Sequence, residues 1–276
     1  TSFSENTYEE LLGAISDMEE QGMEAMVMDV RQNPGGLLTT ALDISSLFID
    51  EGEELFEVQS KGEEPEIYMS SPGTKVKVPV TLLIDGGSAS ASEILAGAMN
   101  ESADVKLVGE KTFGKGTVQT ANDMEDGSNL KFTTAKWLTP DGNWIHEKGI
   151  EPDVKVAYPE YASLPVLDTS VELKDGSTSE QVKTAEQMLD ALGYEVGKVD
   201  GVFEETMTEA VEKFQEDKKL EPTGTVKEET AFAIMDALRV KIEEDDPQLL
   251  EAKKIVMEEA GIAAEPAKEE AEEPKE

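Results

Sequence analysis

The sequence predicts an α/β domain on a mainly parallel sheet with antiparallel additions, followed by a small helical domain. Three observations predict it. Short apolar runs ending in glycine turns alternate with helical patterns up to about residue 157. A hairpin pattern sits inside that stretch, and from Leu173 onward the periodicity is helical.

The elements follow in order. Glu5–Glu20 carries Tyr8, Leu11, Leu12, Ile15 and Met18 at helical spacing. Ala25–Val30 is a short apolar strand that runs into Arg31-Gln32-Asn33-Pro34-Gly35-Gly36, a sharp turn, and Leu38–Ile49 is again helical. The unit recurs as strand Val78–Ile84, turn Asp85-Gly86-Gly87 and small-residue helix Ser90–Met99, with a further strand at Val105–Gly109. Thr117–Asn122 and Leu130–Leu138, joined through Glu125-Asp126-Gly127, form the hairpin. Residues 1–157 are thus expected to form one domain and 158–172, with Pro159 and Pro165, a linker. Helices at Val182–Leu192, Thr206–Gln215 and Glu228–Leu238 make a second domain over 173–240. Residues 241–276 are expected to hold one more helix, Pro247–Ala260, and an acidic disordered tail.

With 61 acidic and 24 basic residues the formal net charge is −37, which repels nucleic acid and anionic lipid heads. The absence of cysteine excludes thiol catalysis and thiolate metal sites. With one histidine, zinc would have only carboxylates beside it, so no metal is expected. No apolar run reaches the roughly 18 residues that span a bilayer. The chain opens at Thr1-Ser2-Phe3 without an initiator Met and reads as a fragment.

Amide hydrolysis requires a nucleophile, a base and donors for the oxyanion. The one histidine, His146, lies in a polar loop away from any nucleophile motif and reads as a surface or packing residue. Lysine is the remaining base, and only burial in a low-dielectric pocket fits it for that work. Lys115, between Gly114 and Gly116 and beside Phe113, has such a setting. If Gly116–Gln119 is extended, Lys115, Thr117 and Gln119 share a face, so that Gln119 could hold the amine. Taken alone, Lys115 is an ordinary lysine in a glycine turn. The nucleophile candidate comes from Gly87-Ser88-Ala89-Ser90-Ala91-Ser92-Glu93-Ile94. Ser90 with Glu93 fits a capping box, which needs no catalysis, yet a helix N-terminus also favours negative charge. The Ala91 N–H is one oxyanion donor, and the Asn33–Gly36 turn offers another. A penicillin-recognising Ser-x-x-Lys pair occurs at Ser128–Lys131, where strand geometry sets the two side chains on opposite faces.

Together these stretches resemble the carboxyl-terminal processing, or tail-specific, serine proteases. The match is carried by Asp29–Gly36, Gly87–Ile94, Gly109–Gln119, and Thr139-Pro140-Asp141-Gly142 leading to Lys148–Asp153. The resemblance implies a crotonase-like/ClpP-like β-β-α spiral and cleavage of protein substrates near their carboxyl termini, with no cofactor. It selects Ser90 over Ser88 and Ser92 as nucleophile, Lys115 as base, Gln119 as the residue orienting it, and Gly36 (or Gly35) with Ala91 as oxyanion donors. Family members carry a PDZ domain before the segment that begins here. The missing region would hold a membrane anchor and surfaces for oligomer assembly, and the expected location is extracytoplasmic. The second domain resembles peptidoglycan-binding modules through Leu192-Gly193-Tyr194, Val199-Asp200-Gly201-Val202-Phe203, Thr206 and Phe214-Gln215. Peptidoglycan is therefore an expected partner, although Tyr194, Phe203 and Phe214 read as core rather than as a ligand platform. The non-enzymatic alternative is a wall-bound scaffold or pseudoprotease that binds peptide or glycan without cleaving it.

Overall fold

A computed structural model describes residues 2–263 of the chain. Among the described residues two compact units emerge, one of residues 2–157 with 247–263 and the other Tyr158–Asp246.

In the first unit, strands β1 (Met26–Asp29), β4 (Val80–Ile84), β5 (Lys106–Gly109) and β8 (Val154–Lys155) form an all-parallel sheet in that order. All five residues of β4 are buried because both faces of the sheet are covered. On one face Leu82 and Ile84 join a core with helices α2 (Leu38–Phe48) and α3 (Ala91–Ala103). On the other, Leu83 and Val108 pack against Ala252 of the last helix, α7 (Pro247–Ala260). Helix α1 (Thr7–Glu20) buries Ile15 in the main core.

The antiparallel strands are not additions to that sheet but form a second one. Its order is β3 (Glu66–Met69), β2 (Glu54–Ser60), β7 (Asn129–Leu138) and β6 (Thr117–Asp123), which makes β6 an edge strand. The expected hairpin is β6–β7. Strands β2 and β3 have no counterpart in the sequence reading. In β2 a register shift between Glu54 and Phe56 buries the neighbours Leu55 and Phe56 together, which breaks the alternation that marks a strand.

The second unit packs helices α4 (Glu180–Ala191), α5 (Glu205–Asp217) and α6 (Glu228–Glu244) around Val182, Leu189, Val211 and Ile234. Phe203 and Phe214 are fully buried in this core. Residues 158–172, expected as a linker, belong to the unit: Tyr161, Leu164 and Leu167 pack on its helices. Their apolar side chains outweigh the spacer character of Pro159 and Pro165. Helix α6 runs past the expected end at Leu238; α7 has the expected bounds and packs in the first unit. Most of the expected disordered tail lies outside the described residues. Among the described residues no helix is long and apolar enough to cross a membrane.

Candidate active site

Two turns leave the same carboxyl edge of the parallel sheet, because β1 and β4 are adjacent and in register from Met26↔Val80 to Asp29↔Leu83. The turn after β1 spans Arg31–Gly36, and the turn after β4 spans Asp85–Ala89. They are sewn together by hydrogen bonds. The Asn33 carbonyl accepts from the Ala89 N–H (3.0 Å) and from the Ser92 hydroxyl (2.9 Å). The Val30 carbonyl accepts from the Ser88 hydroxyl (2.8 Å), and Asp85 Oδ1 accepts the Gln32 N–H (2.9 Å).

Those bonds separate the three serines. Ser88 and Ser92 are both 0% exposed, and their hydroxyls are spent on the backbone carbonyls of Val30 and Asn33. Ser90 instead lines a cavity, from a backbone at φ 57° and ψ −114°. A non-glycine residue held there costs about 1–3 kcal/mol. Ser90 lies at a sharp strand-to-helix turn, between β4 and α3.

The glycines of the first turn are held close to this strand-to-helix turn. At Gly35 (φ 93°) an added Cβ would lie 2.6 Å from the Ala89 carbonyl oxygen and 2.8 Å from the Ala91 nitrogen. At Gly36 (φ 156°) it would strike the Phe3 backbone, to which this turn is paired through Phe3 N–H to Gly35 O (2.9 Å) and Leu37 N–H to Phe3 O (2.9 Å). The Gly35 N–H donates to Asn33 Oδ1 (3.0 Å), so it is already engaged. The N–H groups of Gly36 and Ala91 have no acceptor among the described residues, and both residues line the cavity.

Lys115 sits in the loop between β5 and β6. Both tryptophans of the sequence hold this loop: Trp137 Nε1 donates to the Lys115 carbonyl (2.9 Å) and Trp144 Nε1 to that of Gly116 (2.8 Å). The cavity, about 260 Å³, is lined by Ser90, Ala91, Gly36, Lys115 and Gln119, with Trp137 among its walls. Lys115 is half-buried, and its ammonium makes no hydrogen bond or ion pair among the described residues. Phe113, expected to help dry the lysine, is 65% exposed; Trp137, Leu37 and Ile94 supply apolar wall instead.

Thr117 and Gln119, two apart on β6, both line the cavity with Lys115, as expected of residues on one strand face. The register shift between Val118 and Gln119 adds one residue to the opposite strand: Thr117 pairs with Lys136 and Gln119 with Thr133, three apart on β7.

Glu93 organises the site, and the sequence reading gave it only a capping role. It is 0% exposed, and its carboxylate accepts four hydrogen bonds. Oε2 takes the N–H groups of Ser90 (2.8 Å) and Lys115 (2.8 Å). Oε1 takes the Thr112 hydroxyl (2.6 Å) and the Gly114 N–H (2.7 Å). One oxygen thus binds the main chain of both candidate residues. The available signal was a lone carboxylate at the head of an apolar helix, Ile94-Leu95-Ala96-Gly97-Ala98.

His146 does not line the cavity; it stacks on Trp144 (5.4 Å between centroids) with its Nδ1 buried and unpartnered. Ser128 lies in the β6–β7 turn with its hydroxyl on Asp126 (2.6 Å), whereas Lys131 lines the cavity.

Residues 1–156, more than half of the chain, match the family model described as peptidase family S41. The chain belongs to peptidase family S41. Relatives of this S41 chain include two carboxy-terminal processing proteases of Bacillus subtilis. CtpA is 45% identical over 91% of this chain and 54% of its own length. CtpB is 41% identical over 92% of this chain and 53% of its own length. The chain therefore spans about half the length of these curated relatives. Among solved structures, a photosystem II D1 C-terminal processing protease aligns with a TM-score of 0.53 and 35% identity, over 59% of this chain and 42% of the other. The S41 unit thus has the expected α/β protease fold. Residues 178–234 match a second model, described as "Putative peptidoglycan binding domain".

Proposed function

We propose that the full-length protein is a serine endopeptidase that cleaves protein substrates near their carboxyl termini, with Ser90 as nucleophile and Lys115 as base. In this reading neutral Lys115 takes the Ser90 proton as Oγ attacks the peptide carbonyl. The Gly36 and Ala91 N–H groups hold the oxyanion. The amine product leaves with a proton returned from Lys115, and water then releases the acyl group by the same base. Gln119 orients the amine. The observation that carries the reading is the convergence of these five residues on one cavity, with the neighbouring serines spent and the two N–H groups unengaged. Family membership and the names of the two Bacillus subtilis relatives support the same activity.

The second unit supports an extracytoplasmic, cell-wall-associated enzyme through its match to a peptidoglycan-binding model. Ser90→Ala and Lys115→Ala in the full-length protein should each abolish peptide cleavage. Cosedimentation with purified peptidoglycan should retain the protein and lose it when the whole unit Tyr158–Asp246 is deleted. Cleavage that survives Ser90→Ala would sink the catalytic reading, and unchanged cosedimentation would sink wall binding.

A further inference from the structure

The turn that carries the Gly36 N–H is held at its entrance by a residue 217 positions away. Arg31 opens that turn, and its side chain is only 12% exposed. Its Nε and Nη2 donate to the Asp29 carboxylate at the end of β1 (3.0 and 2.7 Å), and its Nη1 donates to Gln248 Oε1 (2.9 Å). Gln248 is the second residue of α7 and is 0% exposed. Its Nε2 donates to the Val156 carbonyl (2.8 Å), just beyond β8. A Cβ added to Gly109, the last residue of β5, would lie 3.5 Å from Gln248 Cδ. The amide therefore lies at the carboxyl edge of the parallel sheet, from which both turns of the site leave. It falls outside both matched stretches, 1–156 and 178–234.

The chemistry of the residue fits both of its partners. A side-chain amide offers an acceptor to a guanidinium and a donor to a carbonyl from one end. Glutamate would keep the first bond and set a carboxylate against the Val156 carbonyl, and leucine would leave both buried partners unpaired. Between this entrance and the oxyanion donor the turn has no slack. Gln32 follows Arg31 at φ 54°, with its N–H on Asp85 Oδ1 (2.9 Å). Asn33 is buried, and its carbonyl is held by the Ala89 N–H and the Ser92 hydroxyl. At Gly35 an added Cβ would come within 2.6 Å of the Ala89 carbonyl oxygen. Close-packed groups pass a displacement on instead of absorbing it. A shift of Arg31 is thus carried toward Gly36, where the direction of one N–H decides how well an oxyanion is held.

We propose that Gln248 is a positioning residue, which through Arg31 sets the aim of the turn that presents the Gly36 N–H to the oxyanion. The inference rests on the protease reading above. The test uses three variants of the full-length protein and one quenched fluorescent peptide. Gln248→Leu should lower kcat about 10- to 100-fold with KM within about twofold, because an oxyanion donor acts in the transition state. Gln248→Glu keeps the acceptor for Arg31 and loses the donor to Val156, so most of kcat should return while the thermal midpoint stays low. Ala252→Gly, one helical turn further on the same face and packed on Leu83 and Val108, should lower the midpoint and leave kcat as in wild type. A Gln248→Leu enzyme with wild-type kcat, or activity that follows the midpoint through all three variants, overturns the role. Hydrogen exchange of residues 31–36, read by mass spectrometry, separates this claim from the catalytic one. Faster exchange there in Gln248→Leu but not in Ala252→Gly supports the role even if another serine does the cleaving, and unchanged exchange overturns it.

Discussion

At the scale of single residues, Glu93 fixes the relation between nucleophile and base, because one oxygen holds the N–H groups of both Ser90 and Lys115. All four of its partners are donors, so Glu93→Gln would set an amide NH2 against N–H groups and leave buried donors unpaired. The expected cost is about 2–4 kcal/mol of stability, together with loss of peptidase activity. Urea denaturation and cleavage assays on the same preparation check this, and a variant as stable and as active as wild type would refute the role. The nucleophile itself was only half legible in the sequence. Ser88, Ser90 and Ser92 are chemically alike and two apart, so local patterning treats them equally. What distinguishes them is the pair of carbonyls, from Val30 and Asn33, brought in from almost 60 residues away. Glu93 was hidden for the same reason, since three of its four donors lie beyond its own residue neighbourhood in Thr112, Gly114 and Lys115.

At the scale of elements, helical periodicity located α1 to α6, and glycine turns located the strand ends that build the cavity. Strands with regular alternation were legible, the β6–β7 hairpin among them; β2, interrupted by a register shift, was not read. The placement of α7 on the sheet is likewise a tertiary fact, sealed by Gln248, fully buried, which accepts from Arg31 Nη1 (2.9 Å) and donates to the Val156 carbonyl (2.8 Å). In α4, Glu186 is fully buried; Oε2 accepts the Gly201 N–H (2.9 Å) but Oε1 has no partner. Burial pushes its carboxyl above the usual glutamate range. The folded-state pKa is therefore higher than the unfolded one, so this group's contribution is fully present below the unfolded value and is lost as pH rises through the folded one. Glu186→Gln keeps an acceptor for Gly201 and removes the charge. It should raise stability by about 1 kcal/mol at pH 7, with the gain shrinking to nothing near pH 4. Thermal melts across that range decide it; a gain that is the same at both ends would contradict the assignment.

At the scale of the whole molecule, the chain passes from the S41 unit into the helical unit after β8 and returns to the S41 unit at Pro247. Its excess of 37 negative charges is a self-repulsion distributed over both units. Raising sodium chloride shortens the screening length from about 10 Å at 0.1 M to about 3 Å at 1 M. The thermal midpoint should therefore climb as salt increases through this interval, and a flat or falling midpoint would show that the surplus charge does not strain the folded state. The composition made this legible without any coordinates.

The measurement that bears most directly on the central claim is covalent labelling of the full-length protein with a fluorophosphonate, with the modified residue located by mass spectrometry. The account predicts a label on Ser90 in the wild type. Lys115→Ala should slow labelling about 100-fold or more while circular dichroism shows the fold intact. A label on another serine, or equal labelling of wild type and Lys115→Ala, would contradict it.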